Sequence, residues 1–178
     1  VDATKLPEDW INQVDEWRTT KMENAPRPFT TPPFFDSAFY LFTEVVELAG
    51  AIHKLYTPDH LRNPESLRGG ISDELGDCFL MLATVCKHGN IDGLVMSGII
   101  ISHTEAKRVE DTPNWYWRLS ALIRKSYDLV EATHYSRLVT HDCDWIFQHL
   151  IALAWEYRVN PWDALRGSMA KMEKRAGL

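Results

Sequence analysis

Two short acidic motifs, Glu44-x-x-Glu47 and Glu74-x-x-Asp77, sit inside apolar runs of this chain. On a helix, residues three apart share a face, so each run points two carboxylates the same way. The flanking residues, Val45, Val46 and Leu48 in one run and Leu75, Cys78 and Phe79 in the other, place these acids in or beside a core. Four carboxylates gathered there repel one another and lose hydration, and that cost has to be balanced. A divalent cation is the usual balance. An all-oxygen set of ligands favours a hard ion, Mg²⁺ first, with Mn²⁺ as an alternative. The competing reading is a pair of charged helix faces in water.

Helical spacing recurs along the chain. Trp10, Ile11, Val14 and Trp17 predict a first helix from Pro7 to Met22. Prolines 26, 28, 32 and 33 predict an extended segment from Ala25 to Phe35. Asp36 or Ser37 is the expected cap of a second helix running to about Leu55. Thr57 to Gly70 reads as a loop closed by Gly69-Gly70, and a third helix is expected from Ser72 to Gly89. Asp92 to Arg108 is assigned to a fourth helix, although the β-branched run from Val95 to Ile101 would allow a strand.

The second half then echoes the first. Tyr116–Thr133 resembles the second helix, with Asp128-Leu-Val-Glu-Ala132 beside Glu47-Leu-Ala-Gly-Ala51. Val139–Trp155 resembles the third, with Asp144-Trp-Ile-Phe147 beside Asp77-Cys-Phe-Leu80. Asn160-Pro161, a cap followed by proline at the first helical position, opens a closing helix through Lys174. The echo suggests duplication of a helical unit. It is chemically unequal: Lys125, Asp128, His141 and Asp144 stand where the first half has Glu44, Glu47, Glu74 and Asp77. One metal site per chain is the expectation.

The fold class expected is therefore all-α. About seven helices form one domain over residues 1–178, two antiparallel pairs making an internally duplicated four-helix core. Within it, 36–110 carries the intact acidic repeat, 115–178 the degenerate repeat, and 1–35 an N-terminal helix with a Pro-rich segment.

Composition removes several classes. A net charge of −6 argues against broad nucleic-acid binding, which needs a basic face. No uninterrupted apolar segment reaches the length of a membrane span, and the first residues lack a signal-peptide pattern. Cys78, Cys86 and Cys143 form no CxxC pair, and a reducing, cytoplasmic setting is expected. Glu131-x-x-His134 is half of a di-iron carboxylate motif, but the chain holds no second ExxH. His141 and His149 read as structural.

Three stretches carry a family resemblance: Glu44-Val-Val-Glu47-Leu-Ala-Gly-Ala51, Asp73-Glu-Leu-Gly-Asp-Cys-Phe-Leu-Met-Leu82 and Lys171-Met-Glu-Lys-Arg175. They resemble the all-α nucleoside triphosphate pyrophosphohydrolases, the superfamily of MazG proteins, dCTP pyrophosphatases and dimeric dUTPases. The 26 residues between Glu47 and Glu74 fall within the spacing of that family's ExxE and ExxD motifs. The resemblance spans roughly 36–108 and, more weakly, 116 to the C-terminus.

It implies a MazG-like bundle and Mg²⁺-dependent hydrolysis of the α–β bond of a nucleoside triphosphate, releasing a monophosphate and pyrophosphate. Removal of unwanted or excess triphosphates is the role it implies. Glu44, Glu47, Glu74 and Asp77 match the metal-ligand and catalytic positions. Lys54, Lys107, Arg108, Lys171 and Arg175 are the candidate phosphate contacts, with Lys107 and Arg108 favoured because they follow the intact acidic helices. Trp17, Phe34, Phe35, Asp36 and Phe79 are the candidate base contacts. The expected partner is the triphosphate substrate, with neither nucleic acid nor membrane. The chain is either a homodimer or a monomer acting as a pseudo-dimer. The rival expectation is a non-catalytic nucleotide-binding or regulatory module.

Overall fold

The computed structural model describes residues 6–23, 25, 32–56, 64–91, 115–135 and 137–178. Among them are six helices and no strand: α1 (Trp10–Lys21), α2 (Phe34–Tyr56), α3 (Pro64–His88), α4 (Trp115–His134), α5 (Thr140–Glu156) and α6 (Pro161–Ala176). The expected helix over Asp92–Arg108 lies outside the described residues, as do residues 26–31 of the Pro-rich segment.

α3 is the hub. It packs on α2 most extensively, then on α6, α1 and α5, while α4 packs on α2 and α5. Its sequence explains this: every residue from Cys78 through Cys86 is buried, so no face of that stretch is left for water. α2 is amphipathic by contrast, burying Ala38, Leu41, Val45, Leu48 and Ile52 along one stripe. α1 is pinned by Trp10, whose ring stacks on Phe147 of α5 at 5.8 Å and meets Phe79 of α3 edge-on at 6.2 Å.

Three boundaries differ from expectation. α2 starts at Phe34, so neither Asp36 nor Ser37 caps it, and Phe34 and Phe35 are helical rather than extended. The Pro33 carbonyl accepts the Ser37 N–H at 2.8 Å, and the Ser37 hydroxyl donates to the same carbonyl at 2.9 Å. Proline tolerates this place because it needs no N–H partner there. α3 starts at Pro64, placing Gly69 and Gly70 inside the helix instead of before it. The helix tolerates them because Ile71 and Leu75, both fully buried, hold the following turns in the core. α1 begins three residues late, after a turn closed by the Trp10 N–H on the Pro7 carbonyl at 3.1 Å.

α6 begins as its sequence implies. The Asn160 side chain accepts from the N–H groups of Trp162 and Asp163 at 3.0 and 3.3 Å, and Pro161 occupies the first helical position. It ends at Gly177, whose φ of 77° suits glycine. The crossing of α6 over α3 is unusually close. A Cβ on Gly76 would lie only 2.7 Å from the Ala164 carbonyl carbon, and nearer still to its oxygen, so only glycine lets the two backbones meet there.

Candidate metal centre

That crossing sets the site. Gly76 lies between Glu74 and Asp77, so the contact lays α6 directly beside the acids of α3. α2 reaches the same place from the other side, through Glu44. One carboxylate oxygen from each of Glu44, Glu74 and Asp77 lies within 4.8 Å of the others. All three side chains are half-buried.

The electrostatics are strained in one direction. Burial, then repulsion from Asp77, Glu47 and Glu74, pushes the Glu44 carboxyl up to about 7, with Lys171 opposing. Glu74 is raised by burial and by Glu47 and Asp77. Asp77 is raised by burial, against the hydrogen bond and charge of Lys171 and the charge of Arg175. Beneath them the buried Cys78 thiol is also pushed up, by burial first and then by the same acids. Burial and mutual repulsion thus both disfavour the charged form of these acids, with Lys171 opposing.

Among the described residues, the cations acting on these acids come from α6. The Lys171 ammonium donates to Asp77 Oδ2, and the Ser168 hydroxyl donates to Asp77 Oδ1. Both oxygens of Asp77 thus have a donor from α6. Arg175, one turn on, acts on Asp77 through its charge.

The expected quartet is a trio with an outlier. Glu47 is exposed and outside the converging set, although its charge bears on Glu44 and Glu74. Glu74 and Asp77 have the same three-residue offset and both join the set, so the offset alone does not set Glu47 apart. Of the phosphate candidates, Lys171 touches the site and Arg175 acts on it. Lys54 is exposed near the end of α2, about 15 Å along the axis from Glu44. Lys107 and Arg108, the favoured pair, lie outside the described residues.

The base candidates divide by burial. Phe79 is 0% exposed, wedged between Trp10 and Phe147, and presents no surface to a nucleobase. Trp17 is buried, and its indole N–H donates to Glu173 Oε1 at 2.6 Å, tying α1 to α6. Both lie in the core: at helical spacing an aromatic stripe that packs well reads the same as one lining a pocket. Phe34 lies half-buried against the His88 ring, at 5.9 Å. Phe35 and Asp36 are exposed in the first turn of α2, about 12 Å or more along the axis from Glu44.

Two site residues carry no mark in the sequence. Ser168 lies three residues before Lys171 on the same face of α6, and extending that basic stripe backwards would have reached it. Gly76 belongs to the Asp73-Glu-Leu-Gly-Asp77 stretch, but its role requires knowing what crosses above it.

The counterpart positions in the second half are arranged differently. Lys125 pairs with Asp142 at 2.9 Å and approaches Asp128 at 3.9 Å, supplying a cation where the first half has Glu44. Asp144 Oδ2 accepts from Gln148 at 3.2 Å. His149 stacks on Trp145 at 3.4 Å and donates through Nδ1 to the Trp145 carbonyl at 2.9 Å, a structural arrangement.

The trio fits a divalent cation by its chemistry: three hard carboxylate donors from two helices in close approach. No family model matches the chain, and no curated protein or solved structure does either.

Proposed function

We propose that the chain is a Mg²⁺-dependent nucleoside triphosphate pyrophosphohydrolase, with Mn²⁺ an alternative ion, acting in control of the nucleotide pool. The observation that carries the reading is the convergence of Glu44, Glu74 and Asp77, from two helices, with Lys171 from a third beside them. The MazG-like bundle belongs to the same proposal, with α2–α3 echoed by α4–α5. It is supported by the packing of both pairs and by the sequence echo.

Glu44, Glu74 and Asp77 would hold the cation. The bound ion supplies neutralisation of the triphosphate and a water of lowered pKa. Glu47, standing apart from the trio, would orient the attacking water and take its proton. Lys171 and Arg175, four residues apart on one face of α6, bind the phosphate oxygens. Water adds to the α-phosphorus, the bond to the α–β bridging oxygen breaks, and pyrophosphate leaves. Positioning and charge stabilisation provide the rate.

A panel of triphosphates incubated with Mg²⁺ tests this by pyrophosphate release. Release is expected to vanish with EDTA and to fall on the order of 10²-fold in Glu47→Ala and Asp77→Ala. Asp128→Ala, at the counterpart position, is expected to leave it nearly unchanged. Orthophosphate as the sole product contradicts the reading. Tight nucleotide binding without turnover supports a regulatory module instead.

A further inference from the structure

Asp77 is asked to do two things. As part of the trio it is a metal ligand, yet both of its oxygens are engaged by α6, one by the Ser168 hydroxyl and one by the Lys171 ammonium. The two donors are not equivalent. A hydroxyl is neutral, and a carboxylate oxygen with two lone pairs can keep it while also binding a metal. An ammonium is a full positive charge held against the same carboxylate that the metal needs. A divalent ion held by Glu44, Glu74 and Asp77 would share a ligand with that ammonium, and like charges so placed in a half-buried site repel strongly.

The side chain has somewhere to go. Lysine carries its charge on a flexible four-carbon stem, and Lys171 is about one-third exposed. Arg175 lies one turn further along α6. A lysine released from Asp77 adds to Arg175, giving two cations on one helix face above the acids.

We infer that Lys171 is the resident counter-ion of the acidic trio, seated on Asp77 when no divalent cation is bound and exchanged off it when one binds, becoming available to an anionic phosphate. The inference rests on reading the trio as a metal site. Metal loading and phosphate capture are then coupled through one side chain: each ion admitted below frees a cation above.

The sign of a metal titration separates exchange from simple support. If Lys171 merely holds Asp77 in place, its loss weakens metal binding. If it competes, its loss strengthens binding. Isothermal titration of Mg²⁺, repeated with Mn²⁺, into nucleotide-free wild type, Lys171→Met and Ser168→Ala is the experiment. Lys171→Met is expected to bind roughly three- to tenfold more tightly than wild type, and Ser168→Ala within about twofold of it. Equal or weaker binding by a folded Lys171→Met overturns the exchange. Should that variant fail to fold, wild type decides. Acylation of Lys171 by an amine-reactive ester, measured by mass spectrometry against the exposed Lys174, is expected to quicken severalfold in saturating Mg²⁺. An unchanged rate in protein that binds Mg²⁺ overturns the exchange. Absence of Mg²⁺ and Mn²⁺ binding in wild type and both variants overturns the metal site beneath it as well.

Discussion

Arg18 is buried at 5% exposure, and its guanidinium donates only weakly, from Nη2 to the Met81 sulfur at 3.9 Å. Its Nε has no acceptor among the described residues, and burial holds its pKa down to about 10, against the charge of Asp15. A guanidinium gives up its proton only with great difficulty, so the charge is retained and the cost falls on the fold. Arg18→Met keeps the volume and removes the charge. It is expected to stabilise the protein by about 1–2 kcal/mol, read from urea denaturation. Destabilisation would show that the charge of Asp15 and the stacking over the Trp17 ring outweigh the cost of burial. His149 is the opposite case, a group kept neutral. Burial pushes it down to about 4, so between the unfolded value of about 6.5 and that value only the unfolded chain takes up a proton. Stability is complete above about pH 6.5 and falls as the pH drops toward 4. The loss attributable to this ring is about 2 kcal/mol at pH 5, and His149→Phe is expected to flatten the slope of stability between about pH 7 and 5.

Among the helices, glycine has opposite meanings. Gly69 and Gly70 lie within α3 with nothing within 4 Å of an added Cβ, so Gly69→Ala and Gly70→Ala should each stabilise by about 0.5–1 kcal/mol. Gly76→Ala meets the Ala164 backbone and should destabilise by about 2 kcal/mol or more, while also moving Lys171 off Asp77. Thermal melts of the three variants give the two signs directly. These same residues show what a sequence can disclose. Asn160-Pro161 marks the start of α6 because capping chemistry is local. Gly69-Gly70 resembles a stop, and the helix runs through it because Ile71 and Leu75 are held by the core, which no local pattern records. Glu44, Glu74 and Asp77 are legible as candidates because helical spacing within apolar runs marks them, although the same spacing marks Glu47, which stays outside the set. Ser168 and the Lys171 contact are not, because they depend on which helix crosses α3 and how closely.

For the molecule as a whole, the relevant balance is a net charge of −6 with three half-buried acids drawn together where α2, α3 and α6 meet. No helix among the described residues is long and apolar enough to cross a membrane. A ligand that binds only the folded form stabilises it by mass action, by about 2.7 kcal/mol at a hundred times its dissociation constant. Millimolar Mg²⁺ should therefore raise the melting temperature, EDTA should reverse the gain, and Na⁺ at matched ionic strength should not reproduce it. In Asp77→Asn the Mg²⁺ increment should shrink toward that of Na⁺. An equal response to both cations would assign the effect to general screening rather than to the trio.

The lysine that sits on Asp77 comes 94 residues after it. At translation speeds of about 5–20 residues per second, roughly 5–20 s pass between synthesis of the acid and synthesis of its partner. During that interval a nascent chain can bring α2 and α3 together only with their carboxylates balanced by protons or by ions from the surrounding solution. The order of manufacture thus leaves the acids without their own lysine until the last helix has been made.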